Sequence, residues 1–168
     1  MVGDLQTAAL VGADGSVDWL CFPRFDSPAC FAALLGEEAN GRWRIAPTFS
    51  GRCTRRRYVE NTLVLETEWE TPDGTLRVVD CMPPRGMAPD LVRVVEGVEG
   101  RVEVTSELLI RFDYGHIQPW IIVEGREVLA VAGPDALWLR ASASHELTEG
   151  NVVSRFTVSQ GQRIRRGG

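Results

Sequence analysis

The segment from Leu63 to Met82 constrains the fold of this chain more than any other feature. Leu63, Leu65, Thr67 and Trp69 alternate with Val64, Glu66, Glu68 and Glu70. Pro72-Asp-Gly74 then turns the chain into Thr75-Leu-Arg-Val-Val-Asp-Cys-Met82. Successive side chains of a strand point to opposite faces, so this pattern predicts an antiparallel hairpin with one apolar and one wet face. A single wet-faced hairpin cannot stand alone in water, and the rest of the chain must supply strands to cover it.

The remaining sequence supplies them. Thr7–Val11 and Ser16–Cys21 flank Gly12-Ala-Asp-Gly15, a turn-forming connection. Further β-rich runs occupy Gly41–Ala46, Leu91–Glu99, Arg101–Arg111, Trp120–Glu124, Glu127–Val131, Ala136–Ala141 and Val152–Val158, with Gly100, Gly125 and Gly150 as turn residues. Ala29–Leu35, stopped by Gly36, reads as a short helix after Ser27-Pro28. The pattern predicts an all-β chain, a sandwich or a barrel, with at most one or two short helices. No repeat, linker or low-complexity stretch divides residues 1–168, so a single domain is expected.

Charge narrows the partners. The formal net charge is −5, and all 18 basic residues are arginines scattered among acids, a distribution that repels phosphate backbones and anionic lipid. Neither nucleic acid nor a membrane is expected as a partner. The N-terminus shows no basic and then apolar leader pattern, and a cytoplasmic location is expected. Cys21, Cys30, Cys53 and Cys81 lie too far apart for a metal knuckle and are expected to be free, buried thiols; no metal and no cofactor is expected. Arg55–Arg57 must alternate faces on an extended segment, which reads as a solvated edge strand and not as an anion grip.

Candidate chemistry is sparse. Hydrolysis of a glycosidic bond needs a carboxylic acid on the leaving oxygen and a second carboxylate. Asp18 and Asp26 sit among Trp19, Phe22 and Phe25, a combination that sugar sites use, although Trp19 also reads as core and Asp26, before Ser27-Pro28, as the closure of a turn. His116 lies in Arg111-Phe-Asp-Tyr-Gly-His116, where a loop histidine bonded to its neighbours is the simpler reading. No nucleophile elbow and no phosphate-binding glycine motif occurs. Most of the five tryptophans are expected in the core.

The opening Gly3-Asp-Leu-Gln-Thr-Ala-Ala-Leu-Val11, followed by Asp14-Gly-Ser-Val-Asp-Trp-Leu-Cys-Phe-Pro-Arg-Phe-Asp-Ser-Pro28, resembles the start of bacterial glucoamylase- and trehalase-like enzymes of glycoside hydrolase family 15. Gly41-Arg-Trp43, Arg57-Tyr58 with Leu65-Glu-Thr67, and Arg111-Phe-Asp-Tyr-Gly115 with Pro119-Trp120 follow in the same order. The resemblance implies a large antiparallel β-sandwich, the N-terminal domain of a larger enzyme whose catalytic glutamates lie on an (α/α)6 barrel absent from these residues. It therefore implies no catalytic residue here. It implies instead a noncatalytic domain of an inverting α-glucoside hydrolase, whose partners are the barrel of the same chain and, through it, an α-glucoside. The segment from Trp19 to Asp26, with Trp19, Arg24 and Asp26 as candidates, is expected to lend a loop to the rim of the substrate pocket. A free-standing carbohydrate-binding or oligomerisation module is the alternative. The ending Gly161-Gln-Arg-Ile-Arg-Arg-Gly-Gly168 departs from the family, and an open final edge there would favour a homodimer.

Overall fold

In the computed structural model, which describes residues 1–167 and, at Arg166, the backbone alone, the chain is all-β. Among the described residues fifteen strands follow in order: β1 (Val2–Gly3), β2 (Ala8–Val11), β3 (Ser16–Cys21), β4 (Ala29–Phe31), β5 (Arg42–Pro47), β6 (Arg52–Tyr58), β7 (Leu65–Thr71), β8 (Gly74–Cys81), β9 (Val92–Leu109), β10 (Trp120–Glu124), β11 (Glu127–Ala132), β12 (Asp135–Ala141), β13 (Glu146–Thr148), β14 (Asn151–Ser159) and β15 (Arg163–Gly167). The paired strands are antiparallel throughout.

The hairpin read from Leu63–Met82 forms as β7 and β8, with Thr71 opposite Gly74 across the Pro72-Asp73 turn. Leu65, Thr67 and Trp69 are buried while Glu70 is exposed, as the alternation requires. Leu63 itself stays outside the strand and exposed. The Arg55–Arg57 run lies on β6, which pairs with β7 alone and is exposed except at Cys53. Arg57 there ion-pairs with Glu66 at 2.8 Å.

Two expected strands, Leu91–Glu99 and Arg101–Arg111, are one. Gly100 has φ +66° but does not reverse the chain; β9 runs through it for 18 residues. An added Cβ at Gly100 would lie 2.2 Å from the Asp73 carbonyl oxygen, so the glycine admits the tip of the neighbouring hairpin. This long strand joins the two layers. Its first half pairs with β8 on one side and β15 on the other, and its second half pairs with β5 and β14. One sheet thus runs β1-β2-β3-β5-β9-β14-β13, with β4 beside β3, and the other β6-β7-β8-β9-β15-β12-β11-β10.

Buried side chains from both sheets make one continuous core, including Val17, Leu20 and Ile45 from the first and Leu76, Val95 and Leu139 from the second. Within it lies a charge. Arg93 is fully buried; its Nε donates to Asp80 Oδ1 at 2.7 Å, Nη1 to the Trp43 carbonyl at 2.7 Å and Nη2 to the Gly15 carbonyl at 2.8 Å. The guanidinium also stands over the Trp43 ring, 5.2 Å from its centroid. Arg93 therefore reaches from one sheet to backbone of the other and fixes their separation.

Other expectations need correction. Ala29–Leu35 is not a helix: Ala29–Phe31 is β4, and only Ala33–Leu35 makes a single 3-10 turn. Phe31 pairs opposite Leu20 and is buried, and this tertiary contact overrides a local propensity spread over few residues. The helical segments among the described residues are three such 3-10 turns. Of the tryptophans, Trp43 and Trp69 are core, Trp19 is half-buried, and Trp120 and Trp138 are exposed. The final strand pairs with β9 from Arg163 to Gly167 and with β12 at Arg166 and Gly167, so its end is not the unpaired edge expected. Cys21 and Cys30 are free and buried as expected, whereas Cys53 and Cys81 are free but only half-buried.

Candidate functional site

A cleft of about 1040 Å³ opens on one side of the sandwich. One wall is β12 from Asp135 to Trp138, continuing to Arg140. The Gly86–Asp90 segment lines it too, together with Phe22, Pro28 and Phe112. Arg165 and Gly167 of β15 stand at one end.

Local sequence explains these walls. Pro83, Pro84 and Pro89 carry no amide hydrogen, so the segment between β8 and β9 cannot extend either strand. Arg85 ties that segment down: its Nε donates to Asp4 Oδ2 at 2.8 Å and its Nη2 to the Pro23 carbonyl at 2.5 Å. Asp4 also accepts the amides of Gln6 at 3.0 Å and Thr7 at 2.8 Å. Burial pushes the Asp4 carboxyl up, but the Arg85 hydrogen bond and these two amides outweigh it and hold the group below the ordinary carboxylate range. On β12 Trp138 lies under the Arg140 guanidinium, 4.1 Å from the ring centroid.

The rim candidates separate into two places. Arg24 and Asp26 come together as an exposed ion pair, Nε to Oδ1 3.0 Å. The turn they occupy is closed by Ser27, whose hydroxyl accepts the Arg24 amide at 3.1 Å, and not by the Asp26 side chain. Trp19 lies elsewhere. It packs outside the main core against Cys21, Ala29 and Ala32, with the Tyr114 ring 6.0 Å away. None of the three lines the cleft, which takes Phe22, Pro23 and Pro28 from that loop instead.

The β12 wall of the cleft has no local signature in the sequence. The Met82-Pro-Pro-Arg-Gly-Met-Ala-Pro89 run is a legible signal for a loop that leaves the sheet, but nothing local announces that β12 would share a cleft with it. Cleft acids are Asp90, Asp113 and Asp135, set among apolar and proline side chains. Such a lining suits the seating of polypeptide better than proton transfer. Among the described residues, no group of three His, Cys, Asp or Glu side chains could hold a metal ion, and no helix is long and apolar enough to cross a membrane.

Comparison with known proteins gives this geometry its context. Residues 1–155 match the family described as trehalase-like, N-terminal. A trehalase from Mycobacterium tuberculosis is 41% identical over 132 residues, covering 67% of this chain and 19% of that protein. A trehalase from Mycolicibacterium smegmatis is 33% identical over 135 residues, covering 69% of this chain and 20% of its own length. One from Thermoplasma volcanium is 32% identical over 126 residues, covering 71% and 20%. The chain thus spans about a fifth of the length of these relatives. No solved structure matches significantly. With nearly its whole length matched, and with the all-β architecture described above, the chain belongs to the trehalase-like N-terminal domain family.

Proposed function

We propose that this chain is the noncatalytic N-terminal domain of an inverting α-glucoside hydrolase, packing on a catalytic domain and supporting it. The observation that carries the reading is the family match over residues 1–155, against trehalases of which the chain spans only about a fifth. The Trp19–Asp26 region supplies the rim contact, through the exposed Arg24–Asp26 pair at the tip of its loop. Trehalose is the substrate class of the longer enzyme, and water with two carboxylates of the catalytic domain performs the hydrolysis.

The test is glucose release from trehalose, measured for the 168-residue chain and for the longer protein containing it. Activity is expected only in the latter. Turnover by the chain alone would overturn the noncatalytic assignment, and unchanged turnover after deleting residues 1–155 from the longer protein would overturn the supporting role. Asp26→Ala in the longer protein is expected to raise KM for trehalose while leaving stability within about 0.5 kcal/mol, because the pair is exposed. An unchanged KM removes this loop from the rim.

A further inference from the structure

The outward face of the second sheet changes character across its width. Toward β7 it carries a ladder of charge: Arg77 pairs with Glu68 at 2.7 Å and with Glu96 at 3.4 Å, and Arg163 pairs with Glu96 at 2.8 Å. On β10, β11 and β12 the same face is apolar. Register sets its side chains in rows: Trp120, Val131 and Ala136 in one, Ile122, Leu129 and Trp138 in the next, and Glu124, Glu127 and Arg140 in the last. Alternate residues of these strands, Val128, Ala130 and Leu139 among them, belong to the core, so the sheet is apolar on both sides here. Trp120 is 77% exposed and Trp138 48%, and Ile122 and Leu129 are exposed beside them. Arg140 lies over the Trp138 ring and ion-pairs with Glu127 at 3.4 Å, which holds the indole in place.

We propose that this outward face of β10–β12 binds a glucose-type oligosaccharide, with Trp120 and Trp138 as stacking platforms and the row Glu124, Glu127 and Arg140 engaging its hydroxyls. A sheet face turned to water normally carries polar side chains, so an apolar patch confined to three strands marks a contact. Size selects the occupant. With strands ~4.8 Å apart and alternate residues ~6.8 Å apart, the two apolar rows cover on the order of 200 Å². A stable protein partner covers about 800 Å² on each side, so a second copy would fall well short. The two indoles stand about 12 Å apart by the same spacings, a span that two or three linked sugar rings fill. Chemistry selects the same ligand. A glucose-type pyranose carries C–H groups on its ring faces and hydroxyls around its rim. The faces suit exposed indole rings, and the rim suits a border of carboxylates, which accept hydroxyl protons, and a guanidinium, which donates. Trp138 and Arg140 also line the cleft, so the site adjoins it.

Calorimetric titration of the 168-residue chain with maltotriose and with cellotriose tests this, the two trisaccharides distinguishing a curved from a flat glucan. Saturable binding of at least one is expected, with none of sorbitol, which has the hydroxyls but no ring face. Trp120→Ala is expected to weaken binding by about fivefold or more while leaving the unfolding midpoint unchanged. Phe49→Ala, which removes an exposed ring between β5 and β6, is expected to leave binding as it is. No saturable binding of either trisaccharide, or binding that Trp120→Ala leaves intact, would overturn the proposal. A concentration-dependent dimer broken by Trp120→Ala would also overturn it, assigning the face to a second copy. In the longer protein the loss of affinity from Trp120→Ala is expected to persist; its disappearance would overturn the proposal by assigning the face to contact with another domain. None of these readouts involves glucose release, so their failure is distinct from failure of the hydrolase reading.

Discussion

Replacing Arg93 with methionine keeps most of the aliphatic volume and removes everything that its guanidinium holds. Asp80, directly opposite on β8 and 1% exposed, would be left as a buried carboxylate without its counter-charge. Breaking one side of a buried ion pair costs about 3–5 kcal/mol. The carbonyls of Trp43 and Gly15 would each lose a donor at 2.7 and 2.8 Å, worth about 1–3 kcal/mol apiece if water cannot reach them. These losses share one network and do not add fully. The expected destabilisation is about 5 kcal/mol, comparable with the whole stability of a marginal domain at the low end of ~5–15 kcal/mol. Urea unfolding followed by tryptophan fluorescence measures it, because Trp43 lies beneath the guanidinium. The double change Asp80→Asn with Arg93→Met is expected to recover about 2 kcal/mol relative to Arg93→Met alone, since no unpaired buried carboxylate remains. A single variant within about 1 kcal/mol of wild type, or a double variant less stable than the single, would refute the reasoning that this charge pair clamps the layers.

Trp69→Ala is expected to cost about 3–5 kcal/mol, because the ring is 3% exposed and reaches across the sandwich to Gly15; a near-native unfolding midpoint would place it wrongly. Burial pushes the Cys21, Cys30 and Cys81 thiols up, so a neutral-pH alkylating reagent should label native protein slowly at these positions and all four cysteines after denaturation. Mass spectrometry of the labelled peptides reads the order, and rapid labelling of Cys30 would contradict it. Asp4 is held below its unfolded value. It therefore contributes stability above about pH 4 that fades as pH falls through its lowered value, and Asp4→Asn should flatten that acid limb of the stability curve. An unchanged acid limb would mean that the Arg85 clasp contributes nothing.

Much of the fold was legible because a strand with one wet face writes its period into the sequence. β7 and β8 are readable within a residue or two from alternation, and β10, β11, β12 and β14 as β-rich runs beside turn glycines. Where side chains do not alternate, the reading failed: Ala29–Phe31 is buried throughout and carries no period that separates strand from helix. Gly100 misled for a different reason. Its positive φ is real, but whether a glycine reverses a strand or merely lets a neighbour approach depends on what stands beside it, here the Asp73 carbonyl. The rim candidates divided on the same ground. Arg24 and Asp26 are near neighbours and meet locally, whereas the packing of Trp19 against Ala29 and Ala32 depends on β4 lying beside β3.

The sequence alone determined the all-β class, the wet faces, the exposed Arg55–Arg57 edge and, through its resemblance, the family. Local period, turn chemistry and motif order carry that information over a few residues at a time. Tertiary structure alone decided that one strand would serve both sheets, that Arg93 would be the charge sealed between them, and that β12 would share a cleft with the Gly86–Asp90 loop. Those outcomes depend on pairings between residues far apart in the chain. No local pattern encodes which distant strand will fill the space beside a given edge.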